Sequence, residues 1–437
     1  MMVLDAAWRA LGEDPAALAL VRDTAAGIPL QSALPVTRLV HDSIAAASLS
    51  AALLAARRGS SAVPQVELDP IRVATAVTSE RHFRVDGVPM NAWAELSGFW
   101  PTADGWIRTH ANYPHHRTAL LAALGLSDTT TADDLLRHLH KRSSLEVEDA
   151  AVAAGGIASI VRREGELQLP SGPLIDMTRE GDAPVAVLDD AALPAQGIRV
   201  LDLTRVLAGP VATRTLALWG AEVLRLDSPE HPEIAWQHLD TGAGKRSALV
   251  DFRRERAALD ALVERADVVV TGYRPGSFDQ FGLSPRELAR RRPGVVVARV
   301  SAWGQSSDRR GFDSIVQAAS GIAWLESSDG TTPGALPAQA LDHSAGYLLA
   351  AAVTSAVRRR MDEGGSWLAD VSLARVAAEL LALERPRVRR AKLPTWVPTT
   401  VTRASVTSAA AAPHYAGGPD DWASPAVPWG TSGPAWR

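Results

Sequence analysis

Carboxylates and cations in the second half of this sequence are the side chains that could do chemistry. Asp342 stands in Ala340-Leu341-Asp342-His343-Ser344-Ala345-Gly346-Tyr347, just ahead of an alanine-rich stretch. Taken alone, the position reads as a helix N-cap. A carboxylate there could also act as a nucleophile, kept ionised by the positive end of the helix. His343 follows it, but neighbours at a helix start point apart, so His343 reads as exposed or capping and not as a base for Asp342. Basic side chains recur at the ends of predicted strands: Arg205, Arg225, Lys245, Arg246, Arg253, Arg274, Arg309 and Arg310. That placement suits a phosphate-rich ligand. The chain has no cysteine, which excludes disulfides, thiolate nucleophiles and thiolate metal sites.

A further candidate is the run Val200-Leu201-Asp202-Leu203-Thr204-Arg205-Val206-Leu207-Ala208-Gly209-Pro210. It reads as a strand, a loop and a helix start, where α/β sheets place phosphates. Asp227 ends the next strand, where an NAD enzyme would hold its ribose. Yet Gly209 stands alone, and the dinucleotide fingerprint needs three spaced glycines. A dehydrogenase is therefore the weakest of the readings. Gly242-Ala243-Gly244-Lys245-Arg246-Ser247 resembles a P-loop, but Leu239 replaces its first glycine and Arg246 its Ser or Thr. It is rejected as one.

The elements that must position these groups follow from pattern. Short apolar strands are predicted at Arg199–Leu203, Glu222–Leu226, Ala248–Asp251, Val268–Val270, Val295–Val300 and Trp367–Ser372. Helices are predicted at 211–218, 257–265, 285–291 and 342–360. Alternating strands and helices imply a parallel sheet with right-handed crossovers, an α/β Rossmann-like fold. The chain has 437 residues, 46% of them apolar and 22% charged, with net charge −4. That is ordinary for a globular protein of two or three domains. The absence of a basic block argues against nucleic acid. No uninterrupted apolar run of membrane-spanning length occurs. Met1 to Leu20 reads as an amphipathic helix and not a signal peptide, so a cytoplasmic location is the expectation.

A loop-like boundary is expected near 170–196. The predicted divisions are 1–190, a Rossmann-like α/β unit at 196–335, a helix–strand segment at 336–392, and an extended or partly disordered Pro/Ser/Thr/Ala-rich tail at 393–437. An internal repeat also shows. His41-Asp42-Ser43, an alanine-rich helix and Arg57-Arg58-Gly59 precede Val66-Glu67-Leu68-Asp69-Pro70-Ile71-Arg72-Val73-Ala74. Asp342-His343-Ser344, another such helix and Arg358-Arg359-Arg360 precede Ala369-Asp370-Val371-Ser372-Leu373-Ala374-Arg375-Val376-Ala377.

Together with Leu218-Trp219-Gly220-Ala221-Glu222-Val223, Gly244-Lys245-Arg246-Ser247, Arg274-Pro275-Gly276, Phe281-Gly282-Leu283 and Gly311-Phe312-Asp313, the 200–210 run resembles the class III (CaiB/BaiF-type) CoA-transferase family. The resemblance covers roughly residues 196 to 380. It implies a Rossmann-like CoA-binding domain plus a smaller α+β domain. It implies coenzyme A or acyl-CoA as substrate, a carboxylic acid acceptor, no permanently bound cofactor and no metal. Asp342 matches the family nucleophile. Residues implied to hold CoA are Arg205, Val206, Leu207, Ala208, Val250, Arg253, Gly272, Tyr273, Arg274, Phe281, Arg310 and Phe312. The family's racemases carry a His at the place of Phe312, and a phenyl ring cannot move a proton. That argues against racemisation; racemase or isomerase activity stands as an alternative, as does a non-catalytic CoA-binding protein.

The chain departs from the family's order. Gly98-Phe99-Trp100, Asp104-Gly105-Trp106-Ile107 and the Leu120–Gly125 helix resemble the family's small domain, yet they lie upstream of the nucleotide fold. The sequence reads as a truncated first copy, 1–190, fused to a second. Asp42 is then vestigial or structural. Family members form interlocked dimers, which implies a homodimer or an intrachain pseudo-dimer, with 1–190 packed over the CoA fold. The family's glycine-rich covering loop is not evident.

Overall fold

The computed structural model describes residues 2–28, 30–59, 61–386 and 396–437. Its centre is a seven-stranded sheet. In chain order the strands are β1 (Asp176–Gly181), β2 (Arg199–Leu203), β3 (Glu222–Asp227), β4 (Lys245–Leu249), β5 (Val268–Thr271), β6 (Val296–Ser301) and β7 (Ser366–Ser372). Across the sheet they run β1-β7-β6-β5-β2-β3-β4. β2 to β7 are parallel, and β1 closes one edge antiparallel to β7. The parallel strands are apolar without alternation because helices cover both faces; all four residues of β5, for example, are buried. This is the mixed α/β architecture expected. β4 enters the sheet at Lys245, three residues before its predicted start, because the Lys245 amine is drawn inward by buried oxygens.

Four helices matter for the site: α1 (Val36–Gly59), α2 (Ala208–Leu218), α3 (Asp313–Ala319) and α4 (Ala340–Asp362). α4 packs on the start of α2 through Gly346, where a Cβ would stand 2.5 Å from the Ala208 carbonyl. α1 crosses α4 at a polar contact: Ser50 Oγ donates to the Ala351 carbonyl (2.9 Å) and accepts from Thr354 Oγ1 (2.8 Å). Among the described residues α1 is the one helix long and apolar enough to cross a membrane, but 89% of its most apolar window is buried inside the protein. It serves as a core helix.

The first half packs against this centre. The expected N-terminal helix is Val3–Leu11, ended by Gly12 in the left-handed conformation, and a 3-10 turn follows at Pro15–Leu20. An antiparallel sheet of Phe99–Pro101, Trp106–Thr109 and Ala158–Ile160 lies beneath the helices Pro114–Leu124 and Ser144–Ala153. Its own core gathers Ile107, Leu120, Leu124, Leu135, Val147 and Ala151.

From residue 396 the tail is extended and pinned. A hairpin of Thr400–Arg403 and Val406–Ala409 pairs with Arg84–Val85. Three indole N–H groups then anchor the chain: Trp422 to the Arg214 carbonyl (2.8 Å), Trp429 to Asp227 Oδ2 (3.0 Å) and Trp436 to the Leu262 carbonyl (3.0 Å). Composition weighed the Pro, Ser and Thr of this stretch, while its order comes from these amphipathic rings.

Candidate functional site

The strand order reverses direction at β2. The next strand in sequence lies on one side, and β5 lies on the other. Such a switch point opens a crevice at the carboxyl ends of the two strands, the usual ligand position in an open α/β sheet. A cavity of about 440 Å³ lies there. Arg205 and Val206 reach it from the end of β2, and Gly272, Tyr273 and Arg274 from the end of β5. Arg310 and Phe312 come from the loop before α3. Tyr113, His115, His116 and Ile157, all from the first half, form the opposite wall, with His231 beside them.

The β2 loop is held under strain. Val206 has φ +69°, an unusual conformation for a β-branched residue. Its N–H donates to Glu233 (3.2 Å), which also accepts from Arg225 (2.7 Å) and from the Tyr113 hydroxyl (2.5 Å) and lies 3.5 Å from Arg205. Burial alone would raise the Glu233 carboxyl, but Arg225 and Arg205 hold it down to about 2. Glu233 thereby fixes both the strained turn and two cavity-lining side chains. Backbone strain of this kind persists where its surroundings over-determine it, and it clusters at functional sites. No pattern in the sequence marked Glu233.

The histidines on the opposite wall are neutral. Burial and neighbouring cations lower His116 to about 3 and also lower His115. The cavity is therefore charged by Arg205, Arg274 and Arg310, three guanidinium groups able to meet phosphate oxygens.

Other sequence-predicted residues lie elsewhere. Leu207 and Ala208 are buried at the start of α2, and Val250 is fully buried beside β4. Arg253 is exposed on the turn after Val250, and Phe281 packs against Phe252. None of these five residues lines the cavity. Of the wider basic set, Arg225 is enclosed by Asp227 (2.8 Å) and Glu233, and Lys245 by Asp202 (3.1 Å), Thr213 (2.6 Å) and the Pro210 carbonyl (2.8 Å). Arg246 holds the tail through the Gly433 and Ala435 carbonyls. Arg309 pairs with Glu148 (2.8 Å). Gly244-Lys245-Arg246-Ser247 is thus a structural splice between β4, α2 and the tail, not a phosphate cradle. Asp227 is likewise occupied by Arg225 and Trp429, leaving no free carboxylate for a ribose. Gly209 is required because a Cβ would run into the Thr204 side chain.

Asp342 lies in the first turn of α4, 5% exposed. Its N–H and that of Leu341 donate to Asp313 Oδ2 (3.1 and 2.9 Å), and the Gln317 amide donates to Asp313 Oδ1. Asp313 is therefore the cap of α4. The Asp342 carboxylate itself accepts no hydrogen bond and makes no ion pair among the described residues. The helix-start argument led us to expect an ionised carboxylate. Burial, and then the charge of Asp313, instead push it well above the usual range. Asp313 is also raised by burial, but its three donors make it the better holder of negative charge. His343 is fully buried, with both ring nitrogens unpartnered, and is neither exposed nor a cap. Phe312 lines the cavity and Asp313 follows it directly, so α3 joins the crevice to the carboxyl pair.

Comparison with known proteins adds the following. The sequence model of CoA-transferase family III matches residues 195–394. The chain is 33% identical over 209 residues to a probable fatty acyl-CoA transferase of Mycobacterium tuberculosis, covering 44% of this chain and 53% of that protein. It is 32% identical over 211 residues to the alpha subunit of a succinyl-CoA–L-malate CoA-transferase of Chloroflexus aurantiacus, covering 43% and 49%. It is 30% identical over 345 residues to an acyl-CoA transferase of Gibberella moniliformis, covering 69% and 60%. The chain thus spans about half the length of the first two.

Proposed function

We propose that this chain, whose residues 195–394 belong to CoA-transferase family III, transfers coenzyme A between carboxylic acids with Asp342 as covalent nucleophile. The observation that carries this reading is the unpartnered, buried Asp342 carboxyl, whose N–H donates to Asp313, the residue next to crevice-lining Phe312. A buried polar group without a partner is costly, and its retention suits a group that must react.

The steps balance without any other reactant. An Asp342 oxygen attacks the acyl-CoA carbonyl, the C–S bond breaks, and CoA leaves as thiolate with a mixed anhydride on Asp342. The thiolate then attacks the aspartyl carbonyl and releases the first acid as carboxylate, leaving an aspartyl-CoA thioester. The acceptor carboxylate attacks that thioester and expels CoA thiolate. The thiolate attacks the acceptor acyl carbonyl of the new anhydride, giving the new acyl-CoA and free Asp342. Arg205, Arg274 and Arg310 would hold the phosphates of CoA throughout. The crossing of α1 and α4 within one chain supports the pseudo-dimer arrangement.

Incubation with an acyl-CoA followed by hydroxylamine should mark Asp342 by mass spectrometry. Asp342→Ala should abolish turnover and keep CoA binding; full activity of that variant would sink the mechanism. One observation favours a second reading, a CoA-binding protein without turnover: Asp342 borders neither the crevice nor the neighbouring cavity. CoA binding without label exchange between CoA and any acyl-CoA would establish it. A racemase finds no support, since Phe312 stacks on His110 (3.8 Å) and offers no proton.

A further inference from the structure

A second cavity, about 220 Å³, has Asp313 in its wall, the residue after Phe312 of the first. Glu80, Trp93, Phe99, Arg108 and Gln339 also line it. Arg108 is its unusual member. Only 8% exposed, it sits on the strand Trp106–Thr109 directly opposite Phe99. Its guanidinium lies between two rings, 4.8 Å from the centre of Trp93 and 4.7 Å from that of Phe99. Among the described residues it makes no hydrogen bond and no ion pair, and its Nε is sealed from solvent with no partner. Asp313 attracts it at longer range, but both Asp313 oxygens are already taken by Leu341, Asp342 and Gln317.

A buried cation left unpaired is costly, and two stacked aromatics cannot satisfy five N–H donors. The planar fork is built for a carboxylate. At roughly 30 Å³ per water, 220 Å³ holds about seven waters, the bulk of a short acid and not a fatty chain.

We propose that Arg108 is the specificity residue for the acceptor: it holds the carboxylate of a short-chain carboxylic acid in this cavity, whose wall residue Asp313 accepts from the Asp342 N–H. This deepens the transferase reading and rests on it for the word acceptor. Binding of the acid does not require turnover. Arg108 positions the incoming carboxylate while Asp342 carries the CoA, and the cavity's size excludes long chains.

The test is calorimetric titration of propionate into the full chain, with CoA titrated separately. Arg108→Met keeps the aliphatic stem and removes the charge. It should weaken propionate ten- to hundred-fold, the loss expected of a charge-assisted pair, and leave the CoA Kd within about twofold. Octanoate should bind at least ten-fold more weakly than propionate. If Arg108→Met impairs folding, seen as lost CoA binding, Ala335→Glu decides. It places a like charge at the exposed mouth of the cavity and should weaken propionate similarly. Wild-type protein that binds no propionate, or variants that bind it as wild type does, would overturn the proposal. Arg108-dependent binding with no CoA exchange to any acid would sink the transferase reading alone. Exchange that is indifferent to Arg108 would sink this one alone.

Discussion

Glu80 offers a quantitative test of how dry the second cavity is. It lies in the short helix Ser79–His82, its side chain 15% exposed, with Arg81 Nε 3.7 Å from its carboxylate. Burial pushes its carboxyl from 4.5 up to about 7, with Asp240 and Asp313 adding repulsion and Arg81 offsetting part of it. The fold therefore disfavours the ionised form. Stability is fully present below pH 4.5, falls as pH rises through 7, and stays reduced above that. A gap of about 2.5 at roughly 1.4 kcal/mol each amounts to about 3 kcal/mol, or 2–3 after allowing for the partial exposure. Glu80→Gln removes the titration while keeping the shape. Urea unfolding of both proteins near pH 8 should show the variant more stable by about 2–3 kcal/mol, and near pH 4 the difference should vanish. A difference that ignores pH, or a variant less stable near pH 8, would mean that water reaches Glu80 freely and that burial does not oppose its ionisation.

Three further outcomes follow from the same structure. Asp342→Asn should abolish acyl transfer yet raise stability at neutral pH, because it removes a carboxyl whose ionisation the fold opposes; the gain, read by urea titration, should fade in acid. Arg274→Ala removes an exposed guanidinium from the crevice and should weaken CoA about ten-fold by calorimetry without changing the melting temperature. Trp429→Phe loses the hydrogen bond to Asp227 and about 1.5–3 kcal/mol of tail anchoring, and limited proteolysis should then cut within 423–437 much faster than in wild type.

The sheet was legible because its strands are buried on both faces and read as runs such as Val268-Val269-Val270. The crevice was half legible. Arg205, Val206, Gly272, Tyr273 and Arg274 lie at strand ends, and a strand end is visible in one dimension. The facing wall is not: Tyr113, His115 and His116 meet Arg205 only after packing of segments about ninety residues apart. The Tyr113-Pro114 pair, with proline opening a helix, was the available signal for that wall's position. Lys245 was misjudged for the same reason. A lysine at a strand start reads as a phosphate ligand until Asp202, 43 residues earlier, is seen to accept from it. Arg108 gave no signal either, since burial of a lone arginine between two rings depends entirely on tertiary contacts.

The two repeat aspartates show what the fold does with a carboxylate it intends to keep inert. Asp42, 1% exposed, accepts from the Leu4 N–H (3.2 Å), Arg38 (3.3 Å) and His41 (3.2 Å). It is a satisfied structural anion, in keeping with a copy that lacks a CoA fold. Asp342, 5% exposed, accepts nothing and faces another carboxylate. Their helices cross at Ser50 and Ala351. The two environments differ by partners: one aspartate has an arginine one turn earlier at residue 38, and the other has Ala338 there. Burying a carboxyl beside a second one while withholding a cation costs stability that a purely structural copy would not need to give up. That asymmetry, more than the conformation of either helix, is the physical argument for placing the chemistry at Asp342.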